Sequence, residues 1–110
     1  MDITVRATNL DLTDAIEAFV REKLAAALGK FTHGIRAVFV RISDLNGPKG
    51  GDDMRCHVTV EFTSRETGVE VEHRAGDLYI GIAEAAKRTK QAVTRRLGEK
   101  SPLRDGGRKS

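Results

Sequence analysis

Between residues 3 and 97 the apolar side chains switch between alternate positions and every third or fourth position, in an order that leaves few folds open. Ile3, Val5 and Ala7 alternate with Asp2, Thr4 and Arg6, the pattern of a strand with one covered face. Thr13 is a good helix N-cap, and Ile16, Phe19, Val20, Leu24, Ala27 and Leu28 then recur at helical spacing. This predicts a helix over about 14–29, with Gly29 as its stop and a turn at His33-Gly34. Ile35 to Ile42 is rich in β-branched residues and predicts a second strand, with Val38, Val40 and Ile42 on one face and Ala37, Phe39 and Arg41 on the other. Both faces of that strand are partly apolar, which leaves Phe39 to pack on neighbouring strands or to meet a ligand.

The segment Asp44 to Asp53 contains Asn46-Gly47-Pro48-Lys49-Gly50-Gly51 and reads as a mobile hairpin loop. Arg55 to Thr63 returns as a strand, with Cys56, Val58, Val60 and Phe62 facing one way and Arg55, His57, Thr59 and Glu61 the other. After a turn at Arg65–Gly68, Val69 and Val71 mark a last strand. Asp77 then caps a second helix whose stripe is Leu78, Ile82, Ala85, Ala86, Thr89, Val93 and Leu97, ending at Gly98. The order β-α-β-β-β-α predicts an α+β domain: a four-stranded mixed sheet with both helices packed on one face. Hairpins pair strands two, three and four consecutively, and the first helix carries the chain across to place strand one beside an edge, which makes the sheet mixed. At 110 residues the chain has room for one modest core. It divides into a single domain over 1–98 and a flexible basic tail over 99–110, which lacks periodicity.

Several chemistries find no support in the residues. The glycines around Lys49 invite a phosphate-loop reading, but LNGPKGGDD lacks the Walker spacing and Pro48 removes a donor. His33, His57 and His73 fall in a turn, on one strand face and near a strand end, a poor start for tetrahedral zinc ligation. Adjacent Asp52 and Asp53 read as solvated loop carboxylates. Cys56 shares parity with Val58 and Val60 and reads as a small buried hydrophobe rather than a nucleophile. No enzyme, metal site or cofactor is expected. A single cysteine, no long apolar run and no basic-then-apolar leader in MDITVRATN make a reducing cytoplasm the expected location, with no membrane partner.

The formal charge is only +3, but its distribution is uneven. Lys87, Arg88, Lys90, Arg95 and Arg96 follow one another with no acid between them. Arg88 and Arg95, seven apart, share a flank of the second helix, as Lys23 and Lys30 share a flank of the first. Lys87 and Lys90 project from another sector, and Arg96 lies near the packed edge, placed to snorkel outward. Side by side, the helices would present a basic ridge built from both. Arg6, Arg41, Lys49 and Arg55 add further polyanion contacts around the sheet. Two readings of these cations stay open: a solvated surface that keeps a small protein soluble, and a docking face for nucleic acid. With few exposed aromatics, folded RNA read by shape suits the second better than extended strands do, and no DNA specificity is expected.

Three stretches, ITVRATNLDLTDAIEAFVREKL, IRAVFVRI and GDLYIGIAEAAKRTKQAVTRRL, together resemble the ribosome hibernation promoting factor and ribosome-associated inhibitor family. The likeness spans roughly residues 1–97 and includes Asp77, Leu78, Tyr79 and Ile82 at the opening of the second helix. It implies a non-catalytic translation inhibitor that binds the small ribosomal subunit and its rRNA and occludes the tRNA and mRNA channel. By position, Lys23, Arg88 and Arg95 match basic residues of the family, and Lys90 stands beside another at Gln91. The chain departs from relatives at Ala26, where they often carry Lys, in the NGPKGGDD loop, and in its short basic tail. That tail has neither the acidic extension of some relatives nor the dimerisation domain of the long forms, which leaves open whether the protein pairs ribosomes or associates with itself. The competing expectation is a protein-interaction module of the same fold that uses its open sheet face or an edge strand.

Overall fold

In a computed structural model, which describes residues 1–46 and 53–98, the elements follow the expected order. They are β1 (Asp2–Thr8), α1 (Asp14–Leu28), β2 (Ile35–Asp44), β3 (Met54–Phe62), β4 (Val69–Ala75) and α2 (Leu78–Leu97). Local chemistry sets the helix starts. The Thr13 hydroxyl accepts the Ile16 N–H at 3.1 Å, and Asp14 and Glu17 in the first turn suit the positive end of α1. The Asp77 carboxylate caps α2 by accepting the Tyr79 N–H at 3.2 Å. α1 stops at Leu28 with Gly29 as its C-cap, as expected, but the cap is not left-handed. Gly29 keeps a helical φ of −57° and opens a 3-10 turn, Gly29–Phe31, so the chain reverses only at His33-Gly34. Lys30 accordingly sits on that turn and not on α1.

The sheet order is β1-β2-β3-β4, with β1 parallel to β2 and the other two pairings antiparallel. Parallel neighbours need a crossover, and α1 supplies it. The crossover begins at Asn9, whose φ of 64° lies in the left-handed region that asparagine tolerates, and the Asn9 Nδ2 donates to the Asp44 carbonyl. One irregularity was hidden in the alternation. Counting back from Val38 would turn Ile35 to the open face, yet Ile35 is buried. A β-bulge between Ile35 and Ala37 makes Arg36 the extra residue, returns Ile35 to the core, and sends Arg36 outward to Glu61 at 2.8 Å.

The core lies between the helices and one sheet face. Val20, Leu24 and Leu28 of α1 and Ile82, Ala85 and Val93 of α2 bury against Val38, Val40, Ile42, Val58 and Val60. Thr89, buried within this layer, satisfies its hydroxyl by donating to the Ala85 carbonyl at 2.7 Å. Lys49 and the tail expected over 99–110 lie outside the described residues.

Two glycines are expected to respond oppositely to the same substitution. A Cβ on Gly68 would stand 2.4 Å from the Val60 carbonyl oxygen, whereas one on Gly29 would meet nothing within 4 Å. Urea titrations should show Gly68→Ala losing about 1–3 kcal/mol through overpacking. Gly29→Ala should gain about 0.4–1 kcal/mol by reducing the freedom of the unfolded chain.

Candidate nucleic-acid interface

The two helices run side by side in the same direction. Phe19, early in α1, meets Tyr79, in the first turn of α2, edge to face with ring centroids 4.9 Å apart. At the far end, Leu97 closes on Gly34, just past α1. A turn of 100° per residue then sorts the cations of α2 relative to Tyr79. Lys90 falls on nearly the same flank as Tyr79, toward α1, and Lys87 turns outward beside it. Arg88 and Arg95 fall on the opposite flank, away from α1. The expected ridge is therefore two stripes: Lys23, Lys30, Lys87 and Lys90 along the helix pair, and Arg88 with Arg95 beyond it.

These side chains are available to a partner. Lys23, Lys30, Lys87, Arg88, Lys90 and Arg95 are all exposed, and none forms an ion pair among the described residues. Lys23 is partly fixed, with its Nζ 5.4 Å from the Phe19 ring centroid in a cation–π contact. Neither the Phe19–Tyr79 contact nor the placement of Lys23 over Phe19 was anticipated, although the i, i+4 spacing of Phe19 and Lys23 was there to be read. Arg96 differs from its neighbours. It is half-buried, and its Nη1 donates to the Thr67 carbonyl at 2.6 Å, tying α2 to the turn between β3 and β4.

The uncovered sheet face carries the other candidates. Arg6, Arg41 and His57 stand in one row across β1, β2 and β3, and Arg55 precedes His57 by one pleat. Together with Thr4 and Phe39 they line a shallow depression of about 500 Å³. Acids reach only its β3–β4 side. Arg55 lies 3.9 Å from Glu72, His57 Nε2 lies 3.3 Å from Glu70, and Arg74 is paired with Asp53. The hydrogen bond that Arg74 donates to Asp53 is the main reason its guanidinium holds its proton above the usual arginine range. No three His, Cys, Asp or Glu side chains among the described residues converge as a metal site would need. No described helix is long and apolar enough to cross a membrane.

The architecture is a one-sided α+β sandwich, a four-stranded mixed sheet with two helices on one face. Comparison with known proteins gives the family. A model described as sigma 54 modulation protein / S30EA ribosomal protein matches residues 3–100, and the chain belongs to that family. A ribosome-binding factor, PSRP1, of the Spinacia oleracea chloroplast is 33% identical over 82 residues, 73% of this chain. The chain spans only 27% of the length of that relative. Among solved structures, the N-terminal domain of Thermus thermophilus Protein Y superposes with a TM-score of 0.71 at 28% identity, covering 87% of this chain and 99% of that one. A ribosomal subunit interface protein from Coxiella burnetii shares the fold, with a TM-score of 0.76 at 10% identity over 89% of this chain and 99% of that one.

Of the intrinsically reactive groups, Cys56 is buried on the core face of β3, with His73 as its cross-strand neighbour. Burial alone pushes its thiol up to about 12, so this neighbour does not activate it. Because the folded thiol keeps its proton longer than the unfolded one, its contribution to stability is whole below about pH 8.5 and is lost as pH rises toward 12. Unfolding free energies from urea titrations between pH 8 and 10.5 should fall less steeply for Cys56→Val than for the parent, by up to about 1.4 kcal/mol per pH unit.

Proposed function

We propose that this protein acts by occupancy: its helix-bearing face docks on the rRNA of the small ribosomal subunit and blocks the tRNA and mRNA channel. The observation that carries the reading is the set of six exposed cations, Lys23, Lys30, Lys87, Arg88, Lys90 and Arg95, left without acidic partners among the described residues. The ion pairs of the sheet and of the start of α1 engage other residues. Cations spread over two stripes of a rigid helix pair match phosphates presented by folded RNA, and each contact releases counterions. Membership of the family supports a ribosomal partner, as does the likeness to a ribosome-binding factor. The structured unit over 1–98 does the binding, in the cytoplasm and on the ribosome. Inhibition follows from excluded volume, with no bond made or broken.

Cosedimentation with purified small subunits across a salt series tests this. The chain should pellet with subunits at low salt and be released as salt rises. Arg88→Ala with Arg95→Ala should weaken binding and flatten the salt dependence by about one unit for each phosphate no longer neutralised, and Lys23→Ala with Lys90→Ala should do the same from the other stripe. A chain that stays in the supernatant even at low salt would overturn the proposal.

A further inference from the structure

The sheet face holds an arrangement that the helix reading leaves unused. Arg6 and Arg41 are direct neighbours across the parallel β1–β2 ladder, and both side chains line the same depression. Like charges opposed in this way destabilise a sheet. Both are exposed, and among the described residues neither has an acidic partner or a side-chain hydrogen bond. On the β3–β4 side of this face Glu72 stands near Arg55, Glu70 near His57 and Glu61 on Arg36, and Asp2, two pleats from Arg6 on β1, forms no ion pair with either arginine among the described residues. One pleat away on β2, Phe39 remains 43% exposed on the same face, between Thr4 of β1 and Thr59 of β3. An exposed aromatic ring beside an uncompensated pair of arginines, in a depression of about 500 Å³, offers a stacking surface and an anion site within one ligand's reach.

We infer that the open sheet face is a second binding site, for single-stranded nucleic acid, in which a base stacks on Phe39 and the adjoining phosphate sits between Arg6 and Arg41. A strand fits better than a lone anion because an exposed ring adjoins the arginine pair and the depression runs on from β1 and β2 to Thr59 and His57 of β3. Beyond Arg41 the row passes His57 and ends on Glu72 of β4, and Arg55, His57 and Arg74 each stand beside a carboxylate, which leaves Arg6 and Arg41 as the uncompensated pair. Glu70 and Glu72 stand on the β3–β4 side of the face, so the strand's tightest phosphate contact belongs at β1 and β2. The helices lie on the opposite face of the sheet, which leaves this site free of the surface assigned to folded RNA.

The test is fluorescence anisotropy of a labelled eight-nucleotide oligouridylate with the full chain at low salt. Phe39→Ala should weaken binding at least five-fold, and Phe39→Tyr, which keeps a ring, should restore it. Arg6→Ala and Arg41→Ala should each weaken binding and lower the slope of log affinity against log salt by about 0.7. Thermal unfolding checks that each of these surface variants is folded. Oligouridylate binding should survive Arg88→Ala with Arg95→Ala, the variant designed to release small subunits, so the two sites fail separately. The inference is overturned if the parent chain does not bind the oligonucleotide, or if the sheet variants bind as the parent does. It is equally overturned if uridine monophosphate competes as well as the strand, or if the face proves to be covered by a Phe39-dependent dimer in sedimentation of the chain alone.

Discussion

Burial of a single sheet face beneath two parallel helices is the constraint on which the rest of the molecule depends. A parallel β1–β2 pair cannot close through a hairpin, so its existence rests on α1 carrying the chain over the sheet and burying Val20, Leu24 and Leu28 in the shared core. Hydrophobic transfer of that one layer stabilises both the strand order and the helix placement. It also fixes the two polar surfaces, the outer side of the helix pair and the back of the sheet. Strand parity sends Arg6, Arg41 and Arg55 to the second, and helical phase sends Lys87, Arg88, Lys90 and Arg95 to the first.

The two surfaces treat charge differently. Across β2, β3 and β4, arginines and a histidine alternate with carboxylates and pair locally, as in Arg36–Glu61 and Arg74–Asp53. Exposed pairs of this kind contribute little to stability, and their main effect is to mute the local field. On α2 the only acid is Glu84, and the cations beyond it stand without acidic partners among the described residues. Formal charge is thus a weak guide to this protein. What distinguishes its surfaces is how far each positive group lies from a carboxylate that can reach it.

Most of the fold was legible because periodicity and caps agreed. Thr13 and Asp77 cap the helices they precede, and the strand parities of β1 and β3 match the buried faces. The bulge at Arg36 was not legible, since one extra residue in a β-branched run leaves no compositional mark. Nor was the helical φ of Gly29, which carried Lys30 onto a 3-10 turn: glycine accepts both a helical and a left-handed conformation. At the candidate interface, sequence spacing correctly grouped Arg88 with Arg95. It left out which flank of α2 faces α1, because that depends on a contact between elements 60 residues apart, Phe19 against Tyr79. The tie from Arg96 to the Thr67 carbonyl was beyond reach for the same reason.

The contact of Lys23 with Phe19 has a consequence for recognition. A lysine on an open helix surrenders about 0.5–1.5 kcal/mol of rotamer freedom when a partner immobilises it. Lys23 has already given up part of that freedom to the aromatic ring on which it rests, itself braced by Tyr79. Its ammonium is presented closer to a bound geometry than those of Lys30, Lys87 or Lys90. Equal charges on this face are therefore unequal in the disorder they would lose on docking, and a partner seated there would meet one preset contact among several that must be ordered on arrival.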